Sequence, residues 1–344
     1  MITSAPTSTR QGIWAVVLAA GDGTRLAALT TDANGRMVPK QFCSLNGGGS
    51  LLHGAIQRAQ SFVSREHVCV IVADQHRRYW YRTLRTLPSS NVIVQPRNCG
   101  TAIGILLSVL TILERDPFAR ILFLPADHYV CDEGVLARSL REIATSLTRN
   151  PDGLRFLGIT PEDADPGFGY IVPGRALSDG TRSVNRFVEK PEAKLARQLF
   201  LSGALWNTFI FATRGPVLLE MLRARLPDAV SQMQAVIEYR GDLRTRSAAL
   251  HDLYGRLPSI DFSYAVVHGA EPELRVITAP ACGWNDLGTP ERVAATLQCL
   301  QREGPLWAAS PEPIPSYVAV PAAINLAARH AQLTRAGQGT EASR

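Results

Sequence analysis

The segment Leu18 to Leu26 (LAAGDGTRL) carries the densest chemistry in the chain. Gly21 and Gly23 let successive backbone N–H groups converge on an anion, while Thr24 and Arg25 add a hydroxyl and a fixed cationic fork. Residues of these types in this order suit a phosphate. The run lacks the third glycine of GxGxxG and an acidic residue about 20 positions on, so dinucleotide binding is not indicated, and the Lys-Ser/Thr ending of a Walker A loop is also missing. A tight turn without function is the plain alternative. From Ala33 to Arg65 there is no Asp or Glu, whereas Arg36, Lys40, Arg58 and Arg65 fall inside, a segment that repels metal ions and attracts phosphate. Carboxylates appear later. Asp127 closes the apolar run ILFLPAD, Asp286 sits in the glycine-rich turn GWNDLG, and Glu189-Lys190 follows an apolar alternation stopped by Pro191. Their plain alternatives are a helix cap, a turn residue and a solvated ion pair. No Ser/His/Asp or Cys/His constellation occurs, and the six cysteines (Cys43, Cys69, Cys99, Cys131, Cys282, Cys299) form no CxxC pair. Reduced, mostly buried thiols are expected.

The elements that must position these residues can be read from the hydrophobic pattern. Ile13 to Ala20, His67 to Ala73, Val92 to Gln95 and Ile121 to Leu124 are short continuous apolar runs, as in strands buried on both faces of a parallel sheet. Helices are expected over Leu51 to Phe62, Arg77 to Leu87 and Thr101 to Glu114, giving alternating βα units and a doubly wound sheet. After Asp152 the pattern changes to short strands broken by Gly and Pro: Phe156 to Ile159, Phe168 to Val172, Val184 to Val188 and Leu205 to Phe211. Two helical stretches within Pro216 to Arg240, strands near Phe262 to Val267 and Leu274 to Thr278, and a final helix after Thr289 complete the expectation. Beyond Gly304, Pro305, Pro311, Pro313, Pro315 and Pro321 precede a polar end, which reads as an irregular, fraying tail.

Composition sets the frame. The 344 residues are 46% hydrophobic and 19% charged, enough for one large or two modest cores. The net charge of +6 suits an anionic ligand without singling out nucleic acid. Thr101 to Leu113, the longest apolar stretch, is shorter than the ~18 residues that span a bilayer, and Met1 to Arg10 lacks an apolar signal core. A cytoplasmic chain with no membrane or nucleic-acid partner is therefore expected.

LAAGDGTRL followed by Pro39-Lys40-Gln41-Phe42 resembles the sugar-1-phosphate nucleotidyltransferases, most closely the mannose-1-phosphate guanylyltransferases. Further segments match in the same order: QPRNCGTA (Gln95 to Ala102), LPADH (Leu124 to His128), GFGYI (Gly167 to Ile171), FVEKP (Phe187 to Pro191), Trp206-Asn207, SIDF (Ser259 to Phe262) and GWNDLG (Gly283 to Gly288). The match spans about Val16 to Arg292. It implies a Rossmann-like α/β domain over residues 1–304, with a nucleotide-binding half (about 12–150) and a mixed-sheet, sugar-phosphate-binding half (about 151–304), ahead of the tail at 305–344. The resemblance assigns nucleotide contacts to Leu18, Ala19, Ala20, Gly21, Gly23, Thr24, Arg25, Lys40, Pro96, Asn98, Thr101 and Asp127. It assigns sugar-phosphate contacts to Gly169, Tyr170, Glu189, Lys190 and Asn207. Mg²⁺ is expected on Asp127 and Asp286. Arg25, Lys40, Asp127, Lys190 and Asp286 are the expected catalytic set, and His128 is expected to support the site rather than act as a base.

The implied reaction moves a nucleoside monophosphate from an NTP, with GTP favoured, to a hexose 1-phosphate, with α-D-mannose 1-phosphate favoured, giving GDP-mannose and pyrophosphate. A homodimer is compatible with the resemblance. Three departures bear on it: Ala27-Ala28-Leu29 replaces the tryptophan and proline that usually follow GTRL, Cys99 and Gly100 are inserted in the RNCGTA segment, and SIDFSYAVV lacks the usual acidic end. Other NTP and hexose phosphate pairs, and a catalytically weak nucleotide-sugar-binding regulatory subunit, remain as alternatives. Retention of Arg25, Lys40, Asp127, Lys190 and Asp286 argues against the latter.

Overall fold

The computed structural model describes residues 12–32, 34–303 and 324–341. Its centre is a nine-stranded sheet: β1 (Ile13–Leu18), β2 (Val68–Ala73), β3 (Val92–Gln95), β4 (Arg120–Pro125), β5 (Leu154–Ile159), β6 (Tyr170–Ala176), β7 (Arg182–Val188), β8 (Leu205–Arg214) and β9 (Leu274–Ala279), in the order β3-β2-β1-β4-β8-β5-β9-β7-β6. β1 to β4 are mutually parallel. β8 runs antiparallel to β4 and β5, and β5 runs parallel to β9, so β5 and β9 point the same way as β1 to β4. The hairpin β6–β7 folds back so that β6 also pairs with the start of β8. The expected doubly wound sheet with a mixed extension is thus present. As a result the connections after β1, β2, β3, β4, β5 and β9, and the start of β8, all lie on one edge, where open α/β sheets bind ligands.

The apolar runs alternate between two helical layers. Ala15 and Val17 of β1 face a layer that includes α2 (Leu51–Gln60), α3 (Arg77–Leu84), α5 (Glu133–Arg149) and α10 (Pro290–Glu303). Trp14 and Val16 face α4 (Gly100–Leu113), α7 (Gly215–Arg225), α8 (Pro227–Glu238) and α9 (Leu243–Arg256). Burial on both faces explains why these strands carry no polar alternation. Helix α4 is apolar all round because it is wedged between the sheet and α7 and α8. The remaining helices are α1 (Ala27–Thr30), α6 (Ala193–Leu201) and α11 (Leu326–Glu341).

Two expectations need correction. The strand expected at Phe262 to Val267 is a single π-helical turn over Ser263–Val267, closed by His268 N–H donating to the Ser263 carbonyl at 2.8 Å. Phe262, Val266 and Val267 are the buried hydrophobic members of that run, a helical rather than an alternating spacing. The tail is not irregular throughout. Pro305 to Pro321 lie outside the described residues, but at 324 the chain re-enters: Asn325 pairs with Ser44, Ile324 and Leu326 are buried, and α11 packs against α1 and α10. Helix α10 is therefore not the last.

Candidate active site

The β1 exit forms the expected loop. Gly23 has φ +67, and a Cβ there would meet the Lys40 backbone nitrogen at 2.9 Å, so the glycine lets the loop close on the PKQF turn. Gln41, to which the sequence motif alone gives no role, ties the loop from beneath: its Nε2 donates to the carbonyls of Ala19 (2.9 Å) and Gly21 (2.8 Å). Leu18 and Ala19 are engaged in the sheet through Ala126 N–H and the Ile71 carbonyl. Thr24 and Arg25 are exposed at the loop's mouth. Asp22 joins three strand exits, accepting from Gln75 Nε2 (2.8 Å) and Asn98 Nδ2 (3.0 Å), with His76 Nε2 at 3.3 Å. Asn98 is thereby fixed beside the β1 loop, with its Oδ1 accepting the Gly100 N–H. Pro96 precedes it, and Thr101 stands exposed at the start of α4, its Oγ1 accepting the Phe262 N–H.

Lys40 stands differently from expectation. It is 5% exposed, and its Nζ bridges the Asp127 carboxylate (Oδ2, 2.9 Å) and the carbonyls of Asp286 (2.5 Å) and Leu287 (3.3 Å). All three ammonium protons are thus used inside the protein, so Lys40 joins the two acidic loops instead of facing solvent phosphate. Burial is the largest influence and works against the Asp127 charge, but the Lys40 ammonium, its hydrogen bond, His128 and a backbone hydrogen bond together outweigh it and hold the carboxyl below its ordinary range. His128 is pushed down to about 4, chiefly by burial and despite Asp127, so it is neutral near pH 7. Its Nδ1 accepts the Trp284 indole N–H at 3.2 Å, which leaves the proton on Nε2, facing Asp127.

The loops themselves are paired. Tyr129 and Asn285 exchange backbone hydrogen bonds of 2.8 and 2.9 Å, and Cys131 N–H reaches the carbonyls of Cys282 and Gly283. Gly283 has φ +59, and a Cβ there would meet Cys131 Cβ at 2.5 Å, so this pairing requires glycine. In the turn beyond, Leu287 adopts φ +50 and Asp286 Oδ1 accepts both the Gly288 N–H (2.9 Å) and Arg292 Nη1 (2.7 Å).

On the other side of the same edge, Gly169, Glu189, Lys190 and Asn207 come together. A Cβ at Gly169 would lie 2.7 Å from Glu189 Oε2 and 3.3 Å from Asn207 Cβ, and the Asn207 N–H donates to the Gly169 carbonyl at 2.8 Å. Burial pushes the Glu189 carboxyl up; Lys190 opposes this and Asp261 adds to it. Lys190 is half exposed, lies 3.3 Å from Glu189 Oε1 and holds φ +43, a backbone region that non-glycine residues rarely adopt. Strain of this kind persists only where the surroundings impose it. Tyr170 does not join this group. It is fully buried, with its hydroxyl donating to the Asp165 carbonyl at 2.9 Å, so its side chain packs the core.

A doubly wound sheet whose carboxyl edge gathers a glycine loop, an exposed arginine and two lysine-linked acidic loops defines an α/β protein with a candidate ligand site where open sheets of this kind bind ligands. The Nucleotidyl transferase family matches residues 14–302, and the chain belongs to it. The chain is 31% identical over 282 residues to the mannose-1-phosphate guanylyltransferase of Salmonella muenchen, and 31% identical over 290 residues to mannose-1-phosphate guanylyltransferase 2 of Escherichia coli O157:H7. Each match covers 80% of this chain, which spans 57% and 58% of those relatives' length. A solved structure from Thermus thermophilus, named mannose-1-phosphate geranyltransferase, aligns with a TM-score of 0.69 at 26% identity over 80% of this chain and 76% of that one. Among the described residues, no helix is long and apolar enough to cross a membrane.

Proposed function

We propose that this chain transfers a nucleoside monophosphate from an NTP to a hexose 1-phosphate and releases pyrophosphate, with GTP and α-D-mannose 1-phosphate as the favoured pair and Mg²⁺ as the ion. One observation carries the reading: Lys40 clamps the Asp127 and Asp286 loops together beside the glycine loop. The donor set suits a hard divalent ion. Asp127 keeps about a third of its side chain open, and Asp286 Oδ2 accepts no hydrogen bond among the described residues. Two carboxylates are what Mg²⁺ needs when substrate phosphates complete its shell, and the described residues contain no group of three His, Cys, Asp or Glu that would cage an ion alone. When bound, the ion offsets the triphosphate charge.

The protein's own part is positioning and charge. The β1 loop and Arg25 hold the phosphates that leave, and the Asn98 and Thr101 segment faces the nucleoside. Glu189, Asn207 and the Gly169 backbone orient the hexose, while Lys190 faces its phosphate. The phosphate oxygen of the sugar attacks the α-phosphorus, the new P–O bond forms as the bond to pyrophosphate breaks, and no enzyme nucleophile is required because the attacking group is already anionic. His128, neutral and tied to Trp284, supports Asp127 from 3.7 Å rather than shuttling a proton in the reaction. The similarity to guanylyltransferases supports the GTP and mannose choice. A pyrophosphate-release screen of five NTPs against a panel of hexose 1-phosphates tests it: GTP with mannose 1-phosphate is expected to be fastest, and a faster pair would reassign the specificity.

A further inference from the structure

Arg292 lies in the first turn of α10, and its side chain is 12% exposed. Its donors are spent on two carboxylates far apart in sequence. Nη1 donates to Asp286 Oδ1 at 2.7 Å, and Nε (3.1 Å) and Nη2 both donate to Asp165 Oδ2. The guanidinium also lies 3.8 Å from the centre of the Phe168 ring. Asp165 and Phe168 belong to the β5–β6 connection, whose next residue is Gly169, and Asp165 Oδ1 caps the Gly167 N–H at 2.7 Å. Arg292 therefore provides the polar link between the turn carrying Asp286 and the loop leading into the Glu189–Asn207 cluster, beside the ring contact of Trp284 with Phe168 (5.6 Å between centres).

Resting on the reading that Asp286 holds the ion, we propose that Arg292 is a positioning residue: it pins Asp286 Oδ1 so that Oδ2 faces the ion, and it anchors that carboxylate to the 160–169 loop. Charge permits this role. Asp165 neutralises the guanidinium, so the Asp165–Arg292–Asp286 group keeps a net charge of −1 and does not repel a cation. Geometry favours it: Lys40 holds the backbone of this turn through the Asp286 and Leu287 carbonyls, but among the described residues the Asp286 carboxylate itself has, besides Arg292, only the Gly288 N–H, in a turn that contains a left-handed leucine. A lysine could supply the charge but not the fork that spans both carboxylates.

The test is Mn²⁺ binding to the full chain, followed by electron paramagnetic resonance of the free ion, alongside thermal melting. Wild type, Arg292→Gln, Arg292→Lys, Asp165→Asn and Asp127→Asn are compared. Arg292→Gln is expected to weaken Mn²⁺ binding roughly tenfold to a hundredfold, the usual cost of losing a partner that orients a ligand. Asp165→Asn is expected to weaken it as well, although Asp165 does not touch Asp286, and Arg292→Lys is expected to fall between wild type and the glutamine variant. If Arg292→Gln does not fold, the Asp165→Asn and Arg292→Lys comparison decides. Mn²⁺ bound as tightly as wild type, or more tightly, by the Arg292 and Asp165 variants while Asp127→Asn loses it would overturn the role of Arg292 and leave the ion site standing. Unchanged binding in Asp127→Asn would remove the ion site itself, and this proposal with it.

Discussion

Lys190 combines a strained backbone with a half-exposed charge. Its φ of +43 holds the ammonium at the Glu189–Asn207 cluster, paired only with its neighbour Glu189 among the described residues. Lys190→Ala is expected to weaken mannose 1-phosphate binding about tenfold, a charge-assisted contact discounted for exposure, while GTP affinity stays within about twofold, by calorimetry. Equal losses for both ligands would place Lys190 outside the sugar side. His128 gives a second prediction. Its folded pKa of about 4 lies below the ordinary value near 6.5, so the folded state favours the neutral ring. That contribution is fully present above pH ~6.5 and is lost as pH falls toward 4, at up to about 1.4 kcal/mol per pH unit. Urea unfolding at pH 7 and pH 5 is expected to show this decline in wild type and a flatter one in His128→Asn. Much of the site was legible because Lys40, Asp127 and Asp286 fall in short motifs. The roles of Gln41, Asp165 and Arg292 carry no such signal, since their partners are set by tertiary contact: Arg292 and Asp165 are 127 positions apart, and no local spacing marks the pair.

Elements bring these residues together through pairings outside the main sheet. The short ladder around Tyr129 and Asn285 aligns the two acidic loops, and at Gly283 it leaves no room for a Cβ beside Cys131. Gly283→Ala is expected to cost about 2 to 4 kcal/mol of stability from combined backbone strain and overpacking, and to weaken divalent-ion binding. Gly21→Ala, which has φ outside the left-handed region and open space around its Cβ, is the comparison and is expected to leave stability nearly unchanged. Equal stability of the two variants would show that the ladder tolerates a side chain. The four parallel strands β1 to β4 could be read from sequence because burial on both faces leaves an unbroken apolar run. Phe262 to Val267 misled for the same reason in reverse: a short apolar run fits strand or helix equally until its buried positions are seen. Helix α9 gave little signal, since only Leu253 and Tyr254 of its 14 residues are buried.

At the scale of the whole molecule, the returning segment at 324 closes the fold beside the PKQF turn. Ser44 N–H donates to the Ile324 carbonyl and the Ser44 carbonyl accepts from Leu326, both at 2.8 Å, two residues beyond Phe42. A chain ending at Glu303 is expected to lose roughly 3 to 5 kcal/mol, from exposing the surfaces that Ile324 and Leu326 cover, measured by urea unfolding. It should also bind NTP less tightly, because Lys40 and Gln41 sit in the turn this strap supports. A truncated chain as stable as the full one would show that the segment is dispensable. The sheet order itself explains how one edge collects residues from positions 18 to 292: strand ends from both halves point the same way, and Lys40 and Arg292 join them across it. In the proposed reaction the Lys40-linked carboxylates organise the ion for nucleotidyl transfer. The most direct test of this role is the rate of pyrophosphate release from GTP and mannose 1-phosphate at saturating Mg²⁺ in wild type and Asp127→Asn. Wild type is expected to turn over and the variant to lose about a hundredfold or more in kcat, with its fold intact. Equal rates in the two proteins would contradict that role.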